Sequence, residues 1–182
     1  MKIAITGHSA GIGQALSNIY QNQGHEIIGL SRRIGYNIRN LSKILHMIEP
    51  CDVLINNAQA GFAQTELLFA IFEKWQHDQS KLIINISTMM TSSPYSTIPE
   101  LGMDLYRIQK LALEEAHRQL YFKNGPRMIL VKPGSVATQP DQNFPEYADV
   151  NEWAKTLVEL LDTVKPNLKI TEISLGPNYY ES

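Results

Sequence analysis

Tyr106 and Lys110 stand four residues apart in the run Tyr106-Arg107-Ile108-Gln109-Lys110, a spacing that puts both side chains on one face of a helix. A phenol beside an ammonium is an acid/base pair. A free tyrosine titrates near about 10, and bringing it to about 7 takes about 4 kcal/mol. A cation about 4 Å away, at an effective dielectric of about 20, supplies about that much. Any long helix can carry such a pair by chance, so its weight comes from its surroundings. Upstream, Asn85-Ile86-Ser87-Thr88 ends an apolar run in two hydroxyls, and Ser92 and Ser93 follow in the same polar stretch. Each hydroxyl can donate and accept a hydrogen bond.

A second group of residues reads as binding chemistry. Thr6-Gly7-His8-Ser9-Ala10-Gly11-Ile12-Gly13 separates a strand-like run from a helical pattern. Glycines there allow a tight turn and close backbone approach to a pyrophosphate, and the helix N-terminus adds free N–H groups and a positive dipole end. Gly7, Ser9, Gly11, Ile12 and Gly13 are the expected contacts, and His8 is expected to be a solvated loop residue. NAD binders place a carboxylate about 20 positions further on, for the ribose 2′-hydroxyl. Here that place reads Leu30-Ser31-Arg32-Arg33. It has no acid to repel a 2′-phosphate and two guanidiniums suited to one. The expectation is NADP(H) in preference to NAD(H), with Arg32 the main contact and Ser31 beside it.

These residues need elements to hold them. The 182 residues are 43% hydrophobic and 19% charged, with a net charge of -2, the balance of an ordinary globular domain. That charge argues against a nucleic-acid footprint. No apolar run is long enough to span a bilayer and no leader-like segment opens the chain, so a cytoplasmic protein is the expectation. No metal ligands are expected. Cys51 is the only cysteine and reads as a small core residue. Trp75 and Trp153 read as packing residues.

Strand-like runs alternate with helical patterns along the whole chain. The runs are Lys2–Thr6, Glu26–Leu30, Asp52–Ile55, Lys81–Ile86, Arg127–Val131 and Lys169–Leu175. Helices are expected over Ile12–Gln23 with Gly24 as its cap, Leu41–Ile48, Glu66–Gln76, Met103–Phe122 and Glu152–Asp162. The runs are rich in Ile, Val and Leu with little alternation, as in strands buried on both faces of a parallel sheet. The fold class is therefore α/β: one doubly wound Rossmann domain over residues 1–182 with about seven mainly parallel strands flanked by helices. Ligands of such sheets bind beyond the carboxyl ends of the strands, and the unusual residues cluster there.

Taken in order, these motifs resemble the short-chain dehydrogenase/reductase family. The glycine turn matches its Thr-Gly-x-x-x-Gly-x-Gly spacing, and Tyr106–Lys110 its Tyr-x-x-x-Lys signature. Asn56-Asn57-Ala58-Gln59 is similar to its Asn-Asn-Ala-Gly, Asn85–Thr88 to its Asn-Ile-Ser-Ser, and Pro133–Thr138 to its Pro-Gly-x-Val-x-Thr. The resemblance implies an NADP(H)-dependent oxidoreductase passing hydride between nicotinamide and a carbonyl or secondary alcohol. Tyr106 would be the acid/base, Lys110 its tuner and a ribose ligand, and Thr88 the hydroxyl that polarises the carbonyl, ahead of Ser87. Asn37 and Ile38 fall where the family contacts adenine. Asn57 and Ala58 would line the cofactor, with a purely structural role an equal reading for Asn56 and Asn57, and Pro133, Gly134, Val136 and Thr138 would face its nicotinamide side. A basic residue of the family before the second glycine is Ala10 here. The family's catalytic asparagine has no counterpart in Ala60–Gln79, where Gln64, or Gln59 just before, could serve in a water relay. The substrate loop, about 139–149 with Phe144 and Tyr147, is short. The resemblance also implies a homodimer or homotetramer through the Glu66–Gln76 and Leu105–Phe122 helices, where Leu111, Leu113 and Leu120 suit either core or interface. The alternative is an NADP(H)-binding sensor or scaffold of the same fold with little or no activity.

Overall fold

Isoleucine, leucine and valine fill the strands, and all four residues of Val53–Asn56 are buried. Strands of this kind must be covered on both faces. A computed structural model describes residues 1–92, 103–139, 146–163 and 168–177. Within them, six parallel strands form one sheet: β1 Lys2–Thr6, β2 Glu26–Leu30, β3 Val53–Asn56, β4 Leu82–Ile86, β5 Arg127–Pro133 and β8 Glu172–Leu175, in the order β2-β1-β3-β4-β5-β8. The two-residue strands β6, Val136–Ala137, and β7, Ala148–Asp149, pair separately.

Five helices alternate with these strands: α1 Gly11–Asn22, α2 Leu41–Ile48, α3 Ala63–Trp75, α4 Asp104–Tyr121 and α5 Val150–Asp162. Alternate side chains of one strand serve opposite cores. Ile3 and Ile5 pack with Leu16, Trp153 and Leu157 under α1 and α5. Ala4 packs with Leu54, Ile83, Leu67, Ile71 and Leu113 under α2, α3 and α4. Both tryptophans are core residues, each with its indole N–H on a backbone carbonyl. Gly24 follows α1 with φ +81°, the left-handed conformation of a helix stop. Cys51 is buried, its thiol pushed up to about 11 chiefly by burial.

The central sheet has six strands where about seven were expected. The segment after β2 is a short 3-10 turn, Arg32–Ile34, closed by Gly35 at φ +83°. Asn37 Oδ1 then accepts from Arg39 N, and Asn40 Oδ1 caps α2. With the chain turned by these local bonds, β2 remains the edge. The chain goes from β1 outward to β2, then returns past β1 to β3. That reversal opens the crevice of a doubly wound fold beyond the carboxyl ends of β1 and β3. No helix among the described residues is long and apolar enough to cross a membrane. Ser93, Phe144 and most of the 139–149 loop fall outside the described residues.

Candidate active site

The glycine turn is held by β3. Thr6 Oγ1 accepts from the backbone N–H groups of Asn57 and Ala58, both at 2.9 Å, and Asn57 Nδ2 donates to Thr6 O at 3.0 Å. Gly13 is required by packing, since a Cβ there would stand 2.3 Å from Gly7 O. Gly7 and Gly11 have φ of +72° and +52°, a region that favours glycine. Gly11 also lies against Thr138, whose Cβ would be 3.0 Å from an added Cβ. The last loop thus closes over the first.

Several groups in this half lack partners. No side chain caps the N-terminus of α1 at Ala10, and its first turn holds no acid. The buried Oγ of Ser31 and Nδ1 of His8 have no hydrogen-bond partner. His8 is half-buried rather than a solvated loop residue: its ring fills the space over Gly29, where a Cβ would meet it at 2.4 Å. Both arginines are exposed, and Arg33 donates from Nη1 to Ser9 O in the turn at 3.4 Å. A groove of about 490 Å³ runs past Ser9, Gly11, Gln14, Arg33 and Thr138. A dinucleotide phosphate group fits these residues, because the uncapped N–H groups of α1 and two exposed guanidiniums are what it would engage. Ile38 is a core residue at 3% exposure, which leaves only its backbone for an adenine.

The reacting groups gather past the end of β4. Thr88 accepts from Met90 N at 3.3 Å, and its hydroxyl neighbours the Tyr106 phenol closely enough to act on its acidity. Lys110 is 3% exposed. Its Nζ donates to Gln64 Oε1 and to Ile86 O, both at 2.8 Å, and lies 5.7 Å from the Tyr106 ring centre. An ammonium has three N–H donors, so one remains for a ligand. Burial draws Lys110 down to about 7, against the opposing pull of the Glu114 carboxylate. Tyr106 moves the other way, raised by burial, with the Thr88 hydroxyl working against that rise. The expected lowering of the phenol by Lys110 is therefore not what the chain by itself produces. Both groups are desolvated, and desolvation favours their neutral forms.

Gln64 occupies a place the sequence left open. Besides accepting from Lys110, it donates from Nε2 to Asn56 O at 2.6 Å and to Ile86 O at 3.0 Å. Its contact with Lys110 is direct. Gln59 instead pairs with Gln109 at the surface. Ser87 points away from Tyr106 and donates to Glu114 Oε1 at 2.5 Å. Behind it, Asn56 Nδ2 donates to Asn85 Oδ1 at 2.9 Å, and Asn85 Nδ2 lies 3.1 Å from His117 Nδ1. Burial pulls His117 down to about 4, so it is neutral near pH 7 and its Nδ1 accepts from Asn85. Glu114 and His117 were not foreseen as part of the site. Their signal is positional: with Lys110 they recur at helix spacing inside the apolar stripe of Leu113, Ala116 and Leu120.

A larger cavity, about 650 Å³, lies at the amino ends of the strands, lined by Ile3, Tyr20, Val53, Leu82 and Met128. Neither Tyr106 nor Lys110 borders it. The crevice at the carboxyl ends holds the chemical groups and is where sheets of this class take ligands.

No protein-family model matches the chain, and no curated protein matches it in sequence. Solved structures do. An alcohol dehydrogenase from the archaeon Thermococcus sibiricus, complexed with 5-hydroxy-NADP, superposes with TM-score 0.73 at 17% identity, over 100% of this chain and 98% of that one. A short-chain dehydrogenase from Sphingobium yanoikuyae in complex with NADPH gives TM-score 0.73 at 18% identity, over 95% of this chain and 87% of that one. A 3-alpha-hydroxysteroid dehydrogenase from Pseudomonas sp. B-0831, complexed with NADH, gives 0.60 at 20%, over 97% and 96%. The chain has the fold of these dehydrogenases.

Proposed function

We propose that this chain is a short-chain dehydrogenase/reductase that uses NADP(H) to interconvert a carbonyl and a secondary alcohol. The observation that carries the proposal is the buried Lys110, held at 2.8 Å by both Gln64 Oε1 and Ile86 O one helical turn from Tyr106, with the Thr88 hydroxyl neighbouring that phenol at the carboxyl end of β4. Three solved structures of the same fold are dehydrogenases bound to NADPH, NADH or an NADP derivative.

Residues Gly7, Ser9, Gly11, Ile12 and Gly13 would hold the pyrophosphate on the amides of α1. Ser31 and Arg32, with Arg33 beside them, would take the adenosine 2′-phosphate. Asn37, the Ile38 backbone, Asn57 and Ala58 would line the adenosine side. Pro133, Gly134, Val136 and Thr138 would face the nicotinamide end, and the spare donor of Lys110 the ribose hydroxyls. When bound, the cofactor supplies or accepts the hydride.

The chain's own residues handle the oxygen and its proton. In reduction, Thr88 Oγ1 donates a hydrogen bond to the carbonyl oxygen and Tyr106 Oη gives it a proton, leaving the alcohol and a tyrosinate. The Lys110 charge stabilises that tyrosinate. Burial keeps Tyr106 protonated beforehand, the state a proton donor needs. Gln64 and Ile86 O fix the Lys110 ammonium on the correct side. The exposed Leu105, Ile108 and Phe69 on α4 and α3 support self-association of the protein through those helices.

The test is consumption of NADPH, read at its nicotinamide absorbance, across a panel of aldehydes and ketones. The expected result is turnover of at least one carbonyl class, faster with NADPH than with NADH. Tight NADPH binding without turnover of any carbonyl, or oxidation of any alcohol, would leave the sensor reading in its place.

A further inference from the structure

Ser87 and Thr88 are adjacent hydroxyls, yet they face opposite ways. Thr88 meets Tyr106, while Ser87 Oγ donates to Glu114 Oε1 at 2.5 Å. Thr91 Oγ1 lies on the far side of Thr88, 2.6 Å from the same Glu114 oxygen and 2.7 Å from the Thr88 carbonyl oxygen. The second carboxylate oxygen of Glu114 receives Lys132 Nζ at 3.3 Å, and Lys132 also reaches Glu172 on β8 at 3.7 Å. Glu114 is 3% exposed and Lys132 7%. A carboxylate so deeply buried is retained only if it is neutralised and hydrogen-bonded, and here both conditions are met. Arg107 Nε adds a bond from α4 to Met90 O in the same turn, at 3.1 Å.

We propose that Glu114, held by Lys132, is the positioning residue that selects Thr88 as the working hydroxyl, by gripping the hydroxyls of Ser87 and Thr91 on either side of it. The proposal rests on the function proposed above for Thr88 and Tyr106. Glu114 touches neither substrate nor cofactor and acts through the turn. With Ser87 drawn onto the carboxylate, it is withdrawn from the reacting oxygen. The single hydroxyl proton of Thr91 is shared between Glu114 Oε1 and the Thr88 carbonyl oxygen, which ties the backbone of Thr88 to the carboxylate and restrains the turn that carries its hydroxyl. Glu114 also stands one helical turn beyond Lys110 and opposes the effect of burial on that ammonium.

The experiment uses the full chain with Glu114→Gln, Ser87→Ala and Thr91→Val, each alone and combined with Thr88→Val. Misplacement of a reacting group by about 1 Å costs about 100-fold in rate, so Glu114→Gln is expected to lower kcat by about 10- to 100-fold. KM and NADPH affinity should stay within about 3-fold, because the nucleotide half is untouched. In the Thr88→Val background the same substitution should change kcat by less than about 3-fold, since residues acting through one another are not additive. Equal losses in both backgrounds, or no loss in either, would overturn the proposal. Ser87→Ala and Thr91→Val remove one grip each without stranding Lys132, and smaller losses of kcat are expected from both. If either left kcat unchanged while Glu114→Gln folded poorly, the proposal would fall. Hydrogen exchange of the 87–92 segment separates this from the enzyme reading. Faster exchange there in Glu114→Gln, with β1, β3 and β4 unchanged, supports the clamp even if no carbonyl is turned over. Unchanged exchange in an active enzyme sinks the clamp and spares the function.

Discussion

The two halves of the crevice are built on opposite plans. The nucleotide half, from Gly7 to Arg33, is shaped by backbone and leaves the first amides of α1 without a side-chain cap. In the chemical half the groups around Lys110 hold one another. Lys110, Gln64, Ser87, Glu114 and Asn85 are buried and each has at least one protein partner between 2.5 and 3.3 Å. The difference follows from what each half must do. A binding surface needs groups whose partners arrive with the ligand, whereas reacting groups must be held before it arrives, so that no reorganisation is left for the reaction.

The contrast can be broken one half at a time. Tyr106→Phe removes the proton donor and touches nothing in the glycine turn. General acid catalysis is worth up to about 10⁴-fold, and a loss of about 10³-fold in kcat is expected, with NADPH affinity within about 3-fold by fluorescence titration. Lys110 gives the chemical half a pH signature. Burial holds it at about 7 against an ordinary 10.5, so between those values the unfolded chain binds more protons than the folded one. Stability must then rise with pH across that window, by up to a few kcal/mol, with the penalty fully present below about 7. Denaturant melts of Lys110→Met should show that slope flattened; an unchanged slope would place the ammonium in water.

Gly13→Ala attacks the nucleotide half. Its methyl would press on Gly7 O, and overpacking of this kind costs about 1–3 kcal/mol. NADPH affinity should fall by about 10-fold or more, while the Thr88–Tyr106 geometry is kept. Gln64→Leu strands one donor of Lys110, at about 1–3 kcal/mol, and should lower kcat more than it raises KM. The smallest effect sharpens the cofactor choice. Arg32→Ala and Arg33→Ala should each weaken NADPH by about 10-fold, as loss of a charge-assisted bond does, and leave NADH binding unchanged. Equal losses for the two cofactors would move both arginines off the 2′-phosphate.

The same contrast explains what could be read from the chain beforehand. The glycine turn, the strand–helix alternation and the Tyr106–Lys110 spacing are local patterns, and each element came out within a few residues of its expected limits. Thr88 ranked above Ser87 on resemblance, and the geometry supplies a physical reason in Glu114. The course of the turn after β2 was harder to foresee, because Gly35, Asn37 and Asn40 turn the chain by bonds of the kind that end any loop. His8 over Gly29 joins two strands, and Glu114 with Lys132 joins α4 to β5. Pairings so distant along the chain leave no periodicity. Gln64 was a candidate among polar residues, and only the position of α3 against β4 brought it to Lys110.

A crystal structure of the protein with NADPH tests the central claim most directly. The account predicts the pyrophosphate on the amides of Gly11–Gly13, the 2′-phosphate beside Ser31 and the arginines, and the nicotinamide carbon that carries the hydride facing Thr88 and Tyr106. A dinucleotide bound elsewhere, or one whose nicotinamide lies out of reach of Tyr106, would contradict it.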